Sequence, residues 1–240
     1  MTDRPELRLH EEVLLLALKD EKGTPHASQY GFAMGGALLA ELLLTDRLIL
    51  EDKPRRKPLK PGKKPDYLVA LGDRRPMSDP ILDECLHRVG ESKRPRSPQD
   101  WVMRFARLKD LRRRVAVGLC RRGILREEED RIMVMVRRTA YPTLDGAPES
   151  RVVDRLRKSI MSDSEETDAR TAVLVALANV TGLLKPALGK DILKQRKARI
   201  KVIAEGDVVG DATRTAVEAA QAAVIAATTA VSAAAISAGS

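Results

Sequence analysis

The chain has 240 residues and a formal net charge of +9 at pH 7, and only six residues are aromatic: one Trp, three Tyr and two Phe. A core so poor in aromatics has to be built from Leu, Val, Ala, Ile and Met, which favours packed helices over a sheet sandwich. The positive balance points to phosphate-bearing partners. The two cysteines, Cys85 and Cys120, form no CxxC, and the first nine residues contain no apolar run, so a cytosolic protein with neither signal nor transit peptide is expected.

In chain order, Leu7 to Lys19 (LRLHEEVLLLALK) predicts a short buried helix that stops at the turn cluster 20–25. Met34 to Leu44 (MGGALLAELLL) predicts a second apolar helix starting near Gln29, in which Gly35 and Gly36 permit close helix contact. Leu48 to Leu50 reads as a strand. Residues 52–66 form a basic loop whose four prolines forbid regular structure, and Tyr67 to Leu71 reads as the strand that closes it. Pro80 to Val89 predicts a helix with proline in its first turn. Asp100 is the candidate N-cap of a helix that begins at Trp101.

The stretch from Trp101 to Arg126 holds nine Lys or Arg residues against one acid, Asp110. Leu108, Leu111, Val115 and Leu119 recur there at three- and four-residue steps, the pattern of a helix with one buried stripe. At about 100° per residue, Arg112 falls inside or beside that stripe, with Lys109 one turn away on the same flank. A cation against a core face needs an anion, supplied by the protein or by a ligand. The periodicity allows one helix over 101–123 or two with a joint near Arg107, and Gly123 is a natural stop.

Residues 124–136 predict a β-hairpin: Ile124-Leu125, an acidic turn at 126–130, then Ile132 to Val136. Five consecutive apolar residues put apolar side chains on both faces of a strand, and a two-stranded ribbon cannot bury both alone. Ile132, Met133 and Val134 are therefore candidates for membrane insertion or self-association. Glu149 to Met161 predicts an amphipathic helix. Asp168 to Leu184 is apolar on nearly every face and predicts the central buried helix, limited by Pro186. Asp191 to Ala204 predicts a basic helix. Residues 212–238 predict a long Ala-rich helix, too weakly apolar to read as a membrane anchor and better suited to packing through small side chains.

Catalytic patterns are lacking. His10, His26 and His87 share no metal-ligand spacing, and the HEE at 10–12 has no second histidine. No phosphate-loop, dinucleotide or nucleophile-elbow motif occurs, and Asp83-Glu84 reads as a pair of solvated acids. A non-enzyme with no cofactor and no metal is expected.

Six stretches carry a resemblance: LRLHEEVLLLALKDEKGT, GGALLAELLL, PILDECLHRV, LKDLRRRVAVGLCRRGIL, TAYP and RTAVLVALANVTGLL. Occurring in this order from Leu7 to Leu184, they make the chain similar to a short bacterial member of the Golgi phosphoprotein 3-like family. The resemblance implies an all-α protein of one domain over 1–240, a central apolar bundle wrapped by amphipathic helices, with a small protruding β-hairpin. It implies a peripheral protein on the cytoplasmic face of a membrane, since eukaryotic members bind phosphatidylinositol 4-phosphate and retain glycosyltransferases in the Golgi. By position, Lys109 and Arg112 fall where that family has two headgroup-binding arginines. Gly35 stands in place of a third arginine, and His26 in place of a tryptophan.

The function expected is binding of anionic phospholipid headgroups, of the phosphatidylinositol 4-phosphate or a related phosphoinositide-like class, through a basic pocket containing Lys109, Arg112, His26 and Gly35. Partners expected are an anionic membrane, a second copy through the hairpin, and an unknown protein client. The alternative is a nucleic-acid-binding regulator, because a basic helix followed by a hairpin resembles a winged helix-turn-helix. Against it, the buried stripe commits one helix face to the core, and the hairpin is acidic.

Overall fold

In three stretches, 9–17, 33–43 and 171–178, every residue is buried, and the rest of the chain is arranged around the helices that carry them. The computed structural model describes residues 6–18, 23–25, 30–53, 66–133, 136–164, 166–209 and 211–237. Its elements, in chain order, are α1 (Leu9–Ala17), α2 (Tyr30–Leu44), β1 (Leu48–Asp52), β2 (Tyr67–Leu71), α3 (Pro80–Gly90), α4 (Pro98–Ala106), α5 (Leu111–Arg121), β3 (Glu128–Met133), β4 (Val136–Ala140), α6 (Ala147–Met161), α7 (Ala169–Val180), α8 (Leu184–Leu188), α9 (Lys190–Gln195), α10 (Lys197–Ala204) and α11 (Asp211–Ser237). The protein is mostly helical, as composition predicted, with two separate two-stranded antiparallel ribbons, β1–β2 and β3–β4.

The centre is shared. α7 is buried as expected, but α2 packs against α1, α4, α7 and α11 and is equally central. Two glycines make this possible. A Cβ on Gly35 would lie 2.5 Å from the Val102 carbonyl oxygen of α4, and one on Gly36 would lie 2.5 Å from Val224 of α11 and 2.8 Å from Leu177 of α7. Adjacent positions on one helix thus admit neighbours on two sides.

Charge also enters this core, in a paired form. The Glu41 carboxylate of α2 accepts from the Leu9 amide at 2.8 Å and from the Arg170 guanidinium at 2.9 and 3.0 Å. Arg170 donates its other terminal nitrogen to the Leu7 carbonyl at 2.7 Å. Glu12 of α1 pairs with Arg155 of α6 at 2.9 Å, and burial pushes its carboxyl pKa up despite the two nearby arginines. Buried ions persist only when paired and hydrogen-bonded, so these contacts fix α1 against α2, α6 and α7.

Several boundaries differ from the sequence expectation for local reasons. The basic stretch is two helices, the second of the two arrangements the periodicity allowed. α4 starts at Pro98, with Ser97 as N-cap and Asp100 completing a capping box from the third position. The joint falls at 107–110, where Asp110 adopts left-handed φ of 53°. Lys109 therefore lies in a turn and not one helical turn before Arg112. The hairpin is shifted along the chain: Ile124 and Leu125 are drawn into the core, and the acidic residues 128–130 expected in the turn lie in β3 instead. The register sets Asp130 opposite Arg138 and Met133 opposite Val136. Ile132 and Met133 end β3, while Val134 lies outside the described residues. α7 stops at Val180, before the left-handed Gly182, and Pro186 sits within the separate α8. Among the described residues no helix is long and apolar enough to cross a membrane.

Candidate anion-binding cleft

Most of the positive charge between 101 and 126 has to be sorted before a site can be recognised. Three of the nine cations form ion pairs with acids among the described residues. Arg114 pairs with Glu84 at 2.5 Å, Arg122 with Glu11 at 2.8 Å, and Arg126 with Glu128 at 3.0 Å. Partial burial works against the Glu84 carboxylate, yet hydrogen bonds from Arg114 and Arg88 hold its pKa below the ordinary value. Glu84 is thus a structural ion-pair acceptor, and Asp83 accepts from the Met77 amide.

Arg112 is different. It lies in the first turn of α5, half-buried, and has no ion pair with any described carboxylate. One terminal nitrogen donates to the Gly23 carbonyl at 3.1 Å, and the guanidinium carbon sits 5.4 Å from the centre of the Tyr141 ring. Its Nε is buried without an acceptor. Stacking on an aromatic face orients a guanidinium without neutralising it. The Gly23 carbonyl also accepts from the Tyr141 amide at 3.1 Å, so the pieces of this cradle lock one another. Gly23 needs to be glycine there: its φ is +53°, and a Cβ would fall 2.2 Å from the Tyr141 backbone.

Arg112 and Tyr141 line a cleft of about 470 Å³. Tyr30 and Gly31 line it from the first turn of α2, Asp110 from the turn, Arg112 and Arg113 from the first turn of α5, and Thr139 and Tyr141 from the end of β4 and beyond. Two helix N-termini therefore meet at one concavity, a placement that favours negative charge. Burial and the Glu127 carboxylate raise the pKa of the Tyr141 hydroxyl, which keeps it a neutral donor. A second hollow of about 560 Å³, between β2, the start of α4 and α11, is lined by Lys53 and Arg96 but also by Asp66 and Asp100. Its charges cancel, so it has no bias toward an anion.

Of the residues expected to form the pocket, the cleft contains Arg112. Lys109 is exposed in the adjoining turn and is not part of the wall. Gly35 lies at the α2–α4 crossing and offers no room for a side chain there. His26 lies outside the described residues. Arg113, Asp110 and Tyr141 escaped the sequence reading, although a tyrosine in a chain with six aromatics was a usable signal. Among the described residues, no group of three or more His, Cys, Asp or Glu side chains could hold a metal ion.

The model of the Golgi phosphoprotein 3 (GPP34) family matches residues 9–220, which include both central helices and the whole cleft. The chain belongs to the Golgi phosphoprotein 3 family. It is also similar to vacuolar protein sorting-associated protein 74 of Schizosaccharomyces pombe, with 30% identity over 173 residues, covering 66% of this chain and 48% of that protein. The chain thus spans about half the length of this curated relative. Within the Golgi phosphoprotein 3 frame, the sequence between Gly23 and Tyr141 supplies the whole described wall of the cleft.

Proposed function

We propose that this protein attaches peripherally to the cytoplasmic face of a membrane by taking an anionic phospholipid headgroup into the cleft at Arg112. The observation that carries the reading is Arg112 itself: a half-buried guanidinium, positioned by Gly23 and Tyr141, with no described carboxylate to neutralise it. Membership of the Golgi phosphoprotein 3 family and a relative named for vacuolar sorting support a membrane setting. Arg104, Arg107, Lys109 and Arg113 are exposed on the same segment and add general attraction. Four such residues near an anionic leaflet supply about 4 kcal/mol, which alone corresponds to a Kd on the order of 1 mM. Specific headgroup contact has to provide the rest. An arginine–phosphate contact is charge-assisted and can be bidentate, so it exceeds a surface ion pair in strength.

Co-sedimentation with vesicles of phosphatidylcholine alone, with added acidic lipid, and with added phosphatidylinositol 4-phosphate tests the proposal, beside duplex DNA at matched salt. Arg112→Ala should weaken binding to acidic vesicles at least about tenfold, whereas Arg151→Ala, an exposed cation on α6, should change it less than about twofold. Thermal unfolding of both variants separates a folding loss from a binding loss. Equal effects of the two substitutions, or tighter binding to DNA than to any vesicle, would overturn the reading.

The β3–β4 ribbon supports a second contact. Among the described residues it pairs with no third strand, and ribbons of two strands need cover from another surface. We assign it to self-association or to shallow contact with the membrane, with Ile132 and Met133 near its tip.

A further inference from the structure

Asp110 is the odd member of the cleft wall. It occupies the N-cap position of α5, yet its side chain makes no cap hydrogen bond. In the same chain Asp79, Ser97 and Asp168 all accept from the amides of the helices they precede. Asp110 is exposed, holds a left-handed backbone (φ 53°, ψ 28°), and forms no ion pair with a described residue. Its carboxylate is therefore committed to nothing within the described protein, and it lines the same cleft as Arg112 and Arg113.

The lining charges are two guanidiniums and one carboxylate, a net of +1. A single phosphodiester neutralises that sum. A headgroup with an additional phosphomonoester brings roughly 1.5 to 2 further negative charges at pH 7 and sets them against Asp110. An ionised carboxylate is an acceptor only, so a ligand that satisfies Asp110 has to present donors. Hydroxyls fit. An ammonium also donates, but here it would face Arg112 and Arg113.

We propose that Asp110 sets the selectivity of the cleft for a phosphodiester headgroup that carries hydroxyls and one negative charge, such as glycerol or unphosphorylated inositol, over headgroups with a further phosphomonoester. This rests on the headgroup reading above and deepens it.

The test uses the full chain and phosphatidylcholine vesicles doped with phosphatidylglycerol, phosphatidylinositol, phosphatidylserine, phosphatidic acid or phosphatidylinositol 4-phosphate, each adjusted to equal surface charge. The wild type should bind the phosphatidylglycerol and phosphatidylinositol vesicles more tightly than the other three. Asp110→Asn keeps a side chain that tolerates the left-handed backbone while removing the charge. It should shift the preference toward phosphomonoester vesicles by about fivefold, the effect of one unit charge at about 4 Å in water. Competition by soluble glycerophosphoinositol at concentrations comparable to the lipid supports the same chemistry and assigns its source to a solute; its failure to compete assigns the source to the bilayer. If Arg112→Ala abolishes binding but Asp110→Asn leaves the preference unchanged, this inference falls and the headgroup reading stands. Tightest binding to phosphatidylserine or to phosphatidylinositol 4-phosphate also overturns it. If no vesicle binds in an Arg112-dependent way, both fall.

Discussion

Replacing Glu41 should cost more stability than any exposed charge change in this protein. Its carboxylate sits in the middle of α2, about 1% exposed, and it serves the Leu9 amide and Arg170 closely and Arg8 at 3.4 Å. Without it the Leu9 amide loses a 2.8 Å acceptor inside the core, and an unsatisfied buried donor costs about 1–3 kcal/mol. Arg170 loses both contacts near 3 Å. Removing one partner of a buried ion pair costs about 3–5 kcal/mol, but the Arg170 side chain is 24% exposed and keeps the Leu7 carbonyl at 2.7 Å. These retained contacts place its share at the lower end. The two losses overlap, so Glu41→Ala should destabilise by about 4 kcal/mol. Glu41→Gln retains one acceptor and should lose about half of that. Urea unfolding followed by circular dichroism gives the values, and a cycle with Arg170→Met isolates the pair. A loss below about 1 kcal/mol for Glu41→Ala, or a coupling below about 0.5 kcal/mol, would refute the argument that α1, α2 and α7 are joined through this carboxylate.

Gly35→Ala places a methyl 2.5 Å from the Val102 carbonyl and 2.9 Å from the Ala106 amide, so a shift of α4 costing about 1–3 kcal/mol is expected in the urea midpoint. Gly118→Ala in α5 meets nothing within 4 Å and should instead stabilise by about 0.5–1 kcal/mol. Matching signs for the two glycines would discredit the close crossing. His10 is fully buried, and burial lowers its pKa below 6.5 although Asp79, 3.5 Å away, pulls the other way. The unfolded chain then takes up the proton first, so stability should fall as pH drops below 6.5, and His10→Gln should flatten that slope. An unchanged slope in thermal melts between pH 7 and 5 would exclude His10 as its source. Shortening the ribbon by removing 132–137 should lower the mass measured by light scattering, weaken vesicle binding, or both. If neither changes, the ribbon has neither assigned role.

The helices with strong periodicity were legible because their burial is a local property of the sequence. Residues 171–178 are nearly all apolar, and no distant residue is needed to infer a central position for them, whereas the equal centrality of α2, which carries Glu41, depends on the helices packed around it. The stripe of Leu108, Leu111, Val115 and Leu119 was also legible, and all four are buried. The break inside it was one of two arrangements the periodicity allowed, with a joint near Arg107, and it could not be decided because the turn at 107–110 has no glycine or proline to announce it. The hairpin was misplaced because composition alone made an acidic run look like a turn. Strand pairing depends on the opposite strand, where Arg137 and Arg138 face Arg131 and Asp130. Arg112 could be singled out from its place beside the stripe. Its cradle could not, since Gly23 lies 89 residues away and Tyr141 beyond the hairpin. Nor could the pairing of Arg122 with Glu11, 111 residues apart, be read from a locally basic segment.

The tie between Glu41 and Arg170 also has a bearing on how the chain is made. The two residues are 129 positions apart, and Arg170 reaches back a further stretch to Leu7, 163 positions away. At synthesis rates of about 5–20 residues per second, roughly 6 to 26 s separate the emergence of Glu41 from that of Arg170. Throughout that interval α1 and α2, two of the most apolar helices in the molecule, have neither Arg170 nor the α7 surface that packs on them. The nascent chain thus carries a greasy pair of helices whose central carboxylate has Arg8 and the Leu9 amide beside it but lacks its closest cation, Arg170. A ribosome pausing before codon 170 would extend its dependence on chaperones, and release of a fragment ending there would yield a chain prone to aggregation.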